Sequence, residues 1–365
     1  MMNMAKKMGI LFWVPYPRQG ASNRYRVEQF LPFLKERYKV RLRPFWSEPA
    51  YKILYEKGRH LRKIFYFALG FLSRISDLIC ISRFDIVFIH REACPIGGAF
   101  FETLAARAGR PIVFDFDDAI YLASSSRCNN FIEKLKRPGK VESIIKKSSV
   151  VIAGNNYLAD FSRRFNHNTW VIPTCIDTGK YRLYEKEVKE EVVIGWVGSI
   201  TTLDFLRPME NTFRRLSAKF ANLKFKVVGG HFSLDGLSNI TSVVWSEPGE
   251  KSELLSLDIG IMPMPDNEWT KGKCGFKAIL YMSMGLPCVC ADVGANKDII
   301  EDGLNGYLAS SEEEWVSKLS LLVESAELRR KIGAAGRKTA EERFSLKANT
   351  PKFLAVIQSV AASVR

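Results

Sequence analysis

Lys273, Gly275 and Lys277 stand together in the run "KCGFK", just where an apolar strand pattern gives way to a helical one. Ile259 to Met262 reads as a buried strand and a helix pattern runs from about Phe276 to Met284. "GLP" then stops the helix, and a second apolar strand covers Cys288 to Ala291. At a helix start the first backbone N–H groups lack intrahelical acceptors and the helix dipole presents its positive end. With a glycine and two lysines at that point, the chemistry this suits is anion binding, and a diphosphate is the natural guest. An ordinary helix entry with solvated lysines has the same residues, so the rest of the chain must decide.

A second group of reactive residues lies in the first half. The strand "DIVFI" ends in His90, Arg91 and Glu92, and the strand "IVFDFDD" ends in Asp115, Asp117 and Asp118. Carboxylates at a strand's carboxyl end can bind Mg²⁺, take a proton from a hydroxyl, or hold a basic helix by salt bridges. The first strand, "GILFWVP", leads into a loop from Pro17 to Asn23. There Gly20, Ala21 and Ser22 are small enough for a ligand to approach the backbone, and Arg18, Arg24 and Arg26 surround them. Open α/β sheets bind ligands at such strand-to-helix loops; a surface loop with solvated arginines is the alternative.

These groups need scaffolds, and the hydrophobic pattern supplies two. A helix with Val27, Phe30, Leu31 and Leu34 on one face follows the first strand, and strands and helices then alternate as far as Pro173. From about Thr174 to Glu191 the chain is polar and aperiodic. The alternation then restarts, with "VVIGWVGS" ending in Gly198 and Ser199, "LKFKVVGG" ending in Gly229 and Gly230, and "ITSVVW" ending in Trp245. Two such arrays predict an α/β protein of two doubly wound parallel-sheet, Rossmann-like domains facing across a cleft: residues 1–180, residues 181–345, and a final helical segment 346–365.

At 365 residues with 47% hydrophobic and 25% charged residues, the chain can build two ordinary cores. Its seven cysteines are scattered, with no CxxC pair, and only four histidines could join them, so no metal site is expected. The opening "MMNMAKKMGILFWVPYP" has lysines before an apolar run, but Pro15 and Pro17 break it, and it reads as a strand rather than a signal peptide. No apolar run reaches the length of a membrane span. A cytoplasmic protein is expected.

The charge is lopsided. Residues 1–190 carry 33 Lys+Arg against 18 Asp+Glu, whereas the remainder carries 21 of each. Nucleic acid or an anionic membrane surface would attract such a first half. Within residues 51–83, Leu61, Phe65, Ala68, Leu72, Ile75 and Ile79 form one apolar face while Arg59, Arg62, Lys63 and Arg74 fall elsewhere. A basic amphipathic helix of this kind can lie on the inner face of the cytoplasmic membrane, or pack on the core. A nucleic-acid-binding protein is the less fitting reading, since no recognisable RNA-binding motif accompanies the charge, and no nucleic-acid partner is expected.

Together "GWVGS" (195–199), "VVGG" (227–230), "DIGIMPMP" (258–265), "KCGFKAILYMSMGLPCV" (273–289) and "IIEDGLNGYLA" (299–309) resemble the retaining GT-B glycosyltransferases of the bacterial, nucleotide-sugar-dependent "glycosyl transferases group 1" type. The first half is similar, more loosely, to a bacterial subgroup with an "SSRYRV"-like first helix and a "DFDDAI" strand end. The resemblance implies a UDP- or GDP-sugar donor held mainly by the second domain. Gly198 and Ser199 would border the diphosphate, with Lys273, Gly275, Phe276 and Lys277 on its other side, and Gly230, Trp245 and Ser246 near the base. It implies a saccharide or lipid-linked acceptor held by the first domain, beside Gly20, Ser22, Arg24 and Asp118, and a final helix that crosses back to that domain. Asp117 aligns with a histidine common in relatives and, with His90, is the expected catalytic group. No cofactor is implied, and fixed positive groups can do the work of a metal. Relatives also carry two glutamates around this helix, which align with Gly272 and Leu280 here. Their absence admits a second reading, a non-catalytic scaffold of the same fold.

Overall fold

The apolar runs sort into two six-stranded sheets in which every described pairing is parallel. A computed structural model describes residues 7–54, 56, 58–122, 137, 139–181 and 190–364. Most of the charged part of the expected linker, 182–189, and Cys128 lie outside the described residues. Two compact units result: Met1–Thr174 with Asn349–Arg365, and Cys175–Ala348.

The first unit is built on β1 (Gly9–Val14), β2 (Lys39–Pro44), β3 (Ile86–His90), β4 (Ile112–Phe116), β5 (Val150–Ala153) and β6 (Thr169–Val171), in the order β2-β1-β3-β4-β5-β6. Strands β1, β3, β4 and β5 are buried along their whole length, as parallel strands covered on both faces must be, and so read as unbroken apolar runs. Edge strand β2, "KVRLRP", is partly exposed and carries a basic residue at every second position; it has no counterpart in the sequence reading. The order of strands reverses beside β1, so β1 and β3 flank the point where ligands enter sheets of this kind.

Two sequence-based expectations need correction here. The helix through Val27 and Leu34 is three short pieces, Ala21–Arg26, a 3₁₀ turn Glu28–Phe30 and Leu31–Lys35. Val27 leaves helical geometry at φ −125°, and Pro32 opens the last piece. Within the segment 51–83 the apolar periodicity falls, as expected, on one helix, His60–Ile79. Glu48–Leu54 is separated from His60–Ile79 by Gly58 and Arg59, both at positive φ. Arg74, expected on a polar face, is fully buried.

The second unit repeats the plan with β7 (Val192–Val197), β8 (Leu223–Val228), β9 (Ile240–Val243), β10 (Ile259–Met262), β11 (Cys288–Ala291) and β12 (Tyr307–Ala309), in the order β12-β11-β10-β7-β8-β9. Its reversal point lies between β7 and β10. Its first crossover begins as a 3₁₀ helix, Ile200–Met209, and becomes α-helical only at Glu210; Pro208, which lacks an N–H to donate, sits at the change.

The last helix, Leu346–Val364, carries Phe353 into the first unit. That ring is 1% exposed, stacks on Phe30 at 4.3 Å with 4° between planes, and lies 5.7 Å from Phe88. Phe353→Ala is therefore expected to cost about 3–5 kcal/mol of first-unit stability, read as a lowered urea midpoint.

Candidate functional site

In the second unit the reversal point brings together residues far apart in sequence. Gly198 follows β7, and the Phe276–Ser283 helix follows β10. A Cβ on Gly198 would collide with the Trp196 ring and sit 2.7 Å from Cε of Lys277, so glycine is what lets the lysine stem lie against this turn. The Lys277 ammonium rests over Trp196, 5.3 Å from the ring centroid. Behind them Gly229, at φ +146°, approaches the Gly198 carbonyl where any side chain would collide.

Gly275 occupies the N-cap of the Phe276–Ser283 helix at φ +63° and contributes no side-chain cap; no acidic residue stands in the first turn. The helix is locked in place by buried Tyr281. Its hydroxyl donates to the Ile261 carbonyl at 3.1 Å and accepts from the Val197 N–H at 2.9 Å, tying the helix to the ends of β10 and β7. Burial pushes this phenol's pKa far up, so the hydroxyl stays neutral. A helix start with glycine at its N-cap, a lysine and a glycine turn therefore converge at the sheet's carboxyl edge. That arrangement suits a phosphate group.

The remaining expected donor residues are placed differently. Lys273 is not a free-swinging charge: its ammonium lies 3.7 Å from the Trp269 ring centroid. Phe276 is partly buried against the core beneath the helix. Ser199 is exposed and its hydroxyl contacts that of Thr201 at 2.8 Å. Gly230 has only ordinary room around it, with a Cβ meeting Leu203 at 3.4 Å, so Gly229 is the glycine the turn demands. Trp245 and Ser246 belong to another local network. The Trp245 indole N–H donates to Glu250 at 2.8 Å, the Tyr181 hydroxyl donates to the same carboxylate at 2.5 Å, and Ser246 Oγ accepts from the Gly249 N–H. Leu280 is a core residue, 3% exposed, and Gly272 is the buried C-cap of Glu268–Lys271.

In the first unit the register pairs His90 with Asp115 on adjacent strands. His90 Nδ1 lies 2.7 Å from Asp115 Oδ2, and His90 Nε2 lies 2.8 Å from Ser22 Oγ. The carboxylate assigns the ring proton to Nδ1, which leaves the Nε2 lone pair to accept from Ser22. Arg26 closes the chain, pairing with Asp115 and donating to the Ile172 carbonyl at 2.6 Å. His90 and Asp115 are fully buried, whereas Ser22 is half-buried and forms the outlet of this relay.

Arg91, one residue further, is held at φ +62°, a conformation that costs a non-glycine residue free energy. Its backbone N–H donates to the Asp115 carbonyl at 2.7 Å, and its guanidinium donates to Asp117 at 2.7 Å and Asp118 at 2.5 Å. Burial alone would raise the Asp117 pKa, but the Arg91 charge and its hydrogen bond outweigh this and hold the carboxyl well below the usual range. Asp117 thus presents a fixed negative charge, 4.0 Å from His90 Nε2. Arg24 is buried over the Tyr25 ring at 4.8 Å, and Gly20 packs on Tyr16 in the turn opened by Pro17. Among the described residues no group of three or more His, Cys, Asp or Glu is placed to hold a metal ion.

Sequence reasoning left Tyr281 and Glu250 out of the sites, and named Asp115, Arg26 and Arg91 near the first site without giving them a role there. Asp115 and Asp117 alternate on β4 and its end, which was a readable sign of a shared face. The left-handed turn at Arg91 leaves no sequence signal.

Residues 191–325 match the family described as Glycosyl transferases group 1. A stretch of 80 residues is 30% identical to spore coat protein SA of Bacillus subtilis (strain 168); it covers 21% of each chain, so the match spans about a fifth of that relative. Among solved structures, HepE of Anabaena in complex with UDP and glucose is similar at a TM-score of 0.67 and 14% identity, over 96% of this chain and all of that one. Sucrose-phosphate synthase from Thermosynechococcus elongatus is similar at 0.69 and 12%, over 98% of this chain and all of that one. At such identities the likeness shows the fold, which is GT-B.

Because its folded pKa is depressed, Asp117 contributes stability above the unfolded carboxyl value near pH ~4, and that contribution is lost as pH falls toward the folded pKa. Asp117→Asn is expected to lower stability by roughly 3 kcal/mol at pH 7, with the gap to the parent protein narrowing below about pH 4 in paired urea titrations.

Proposed function

We propose that the protein is a retaining glycosyltransferase that moves a sugar from a UDP- or GDP-sugar to a hydroxyl of a saccharide or lipid-linked acceptor, in bacterial surface polysaccharide or lipid-linked oligosaccharide synthesis. The observation that carries this reading is the convergence of Gly198, the Gly275 helix start and Lys277 at the second sheet's reversal point. UDP bound to the similar HepE supports the uridine arm.

In the proposed step the bond between the anomeric carbon and the diphosphate oxygen breaks, and a bond to the acceptor oxygen forms. Negative charge grows on the departing diphosphate, where the helix dipole and Lys277 stabilise it without reorganising. No covalent nucleophile is required. The acceptor proton passes to the departing phosphate oxygen, or through Ser22 to His90 Nε2, whose other nitrogen is held by Asp115. Asp117, fixed as an anion by Arg91, accepts a hydrogen bond from the acceptor or reacting sugar rather than a proton.

Leu280 in the core and Gly272, where relatives carry glutamates, favour a second reading, a GT-B scaffold that binds nucleotide without turnover. Calorimetric titration with UDP-, GDP-, ADP- and dTDP-sugars, without metal and then with Mg²⁺, separates these. Selective binding followed by a glycosylated product supports transfer; binding without product under any acceptor supports the scaffold; silence from the folded protein sinks both. Lys277→Ala is expected to weaken donor binding roughly tenfold. Asp117→Asn is expected to leave donor binding within about twofold while lowering transfer roughly a hundredfold or more. Loss of nucleotide binding in Asp117→Asn would overturn the assigned division of roles.

A further inference from the structure

The His60–Ile79 helix turns two charged residues inward beside Phe67 and Phe71, whose rings pack on Phe45, Trp46 and Phe101. Its buried positions are Gly70, Arg74 and Asp77. Gly70 brings the helix backbone against the Phe45 carbonyl, where a Cβ would sit at 2.6 Å. The Arg74 guanidinium donates to the carbonyls of Ala93 at 2.8 Å, Arg43 at 3.1 Å and Val14 at 3.2 Å, and lies over the Trp13 ring. Asp77 accepts from the Trp13 indole at 3.1 Å and pairs with Arg43 at 3.0 Å.

At about 100° per residue, the opposite side of this helix carries Leu61, Ile64, Phe65, Leu69, Leu72, Ile75 and Ile79. All seven are exposed, from 37% at Ile75 to 84% at Leu61, and they make up the majority of the exposed large apolar residues among those described. Turning the helix to bury this stripe would pull Arg74 and Asp77 out of the networks that satisfy them, so the exposure is built into the packing.

We propose that this stripe docks on an anionic lipid surface, the helix lying in the plane of the headgroups. The occupant follows from charge. Lys52 and Arg62 are exposed beside the stripe or just before it, as is Arg59, which pairs with exposed Glu56 at 2.9 Å, in the half of the chain that carries 33 basic against 18 acidic residues. A second copy of so basic a face would be repelled, whereas an anionic bilayer is attracted and also accepts the apolar side chains. The helix lies on the bilayer rather than crossing it: no described helix is long and apolar enough to span a membrane, and its inner face is committed to the protein.

The test is flotation of the full chain with vesicles of phosphatidylcholine alone or mixed with phosphatidylglycerol, without nucleotide or sugar, so that failure leaves the donor-site reading standing. The protein is expected to bind the mixed vesicles and to leave them as salt rises. The combined variant Leu61→Ser, Phe65→Ser, Leu72→Ser and Ile79→Ser, whose sites are all exposed, is expected to keep its melting temperature and lose binding by roughly a hundredfold. Arg62→Glu, which spares the stripe, is expected to weaken binding roughly three- to tenfold. Indifference of the intact protein to mixed vesicles, undiminished binding by the combined variant, or a solution dimer that this variant dissociates would each overturn the inference.

Discussion

A parallel strand can be followed by another only after a crossover, and the hand of that crossover is fixed; each sheet therefore gathers the loops after its strands on a single edge. The reactive groups of both units lie on such edges, at the two points where strand order reverses. Ser22 and His90 come from the helix after β1, Ala21–Arg26, and the end of β3; Gly198 and Lys277 come from the turn after β7 and the helix after β10. Chemistry that looks dispersed in sequence is concentrated because winding leaves it nowhere else to go.

The two edges handle charge in opposite ways. The second unit leaves positive potential at a helix start and adds a lysine, while keeping its buried phenol neutral and fully bonded. The first unit buries whole charges and neutralises them in pairs, Asp115 with Arg26 and Asp117 with Arg91. Desolvating such pairs is costly and their attraction seldom does more than balance it, so they are weak as stabilisers and strong as constraints on geometry. The strained backbone of Arg91 fits this pattern, because two carboxylates and a carbonyl hold it where it would not rest alone.

Much of the fold could be read from the chain because buried parallel strands are plain apolar runs. Strands β10 and β11 begin and end where the pattern placed them, and the glycine before Phe276 marks its helix start. Legibility failed where burial and polarity part company. Strand β2 is basic at every second position, and Arg74 and Asp77 look like solvent-facing residues yet lie at the protein side of their helix. Individual site residues were harder still. The need for glycine at 229 rather than 230 depends on the Gly198 carbonyl in the turn after β7, and the role of Glu250 depends on Tyr181, far earlier in sequence. Such contacts are long-range, and no local propensity records them.

The placement of Phe353 in the core of the first unit has a consequence for the order of assembly. The second unit is one continuous stretch, whereas the first closes only when a segment from beyond that stretch reaches Phe30 and Phe88. During synthesis the earlier half must wait, its aromatic seat open, while the later half is made and can fold. The first unit is finished only after the second has been made, when Leu346–Val364 brings the ring that completes it.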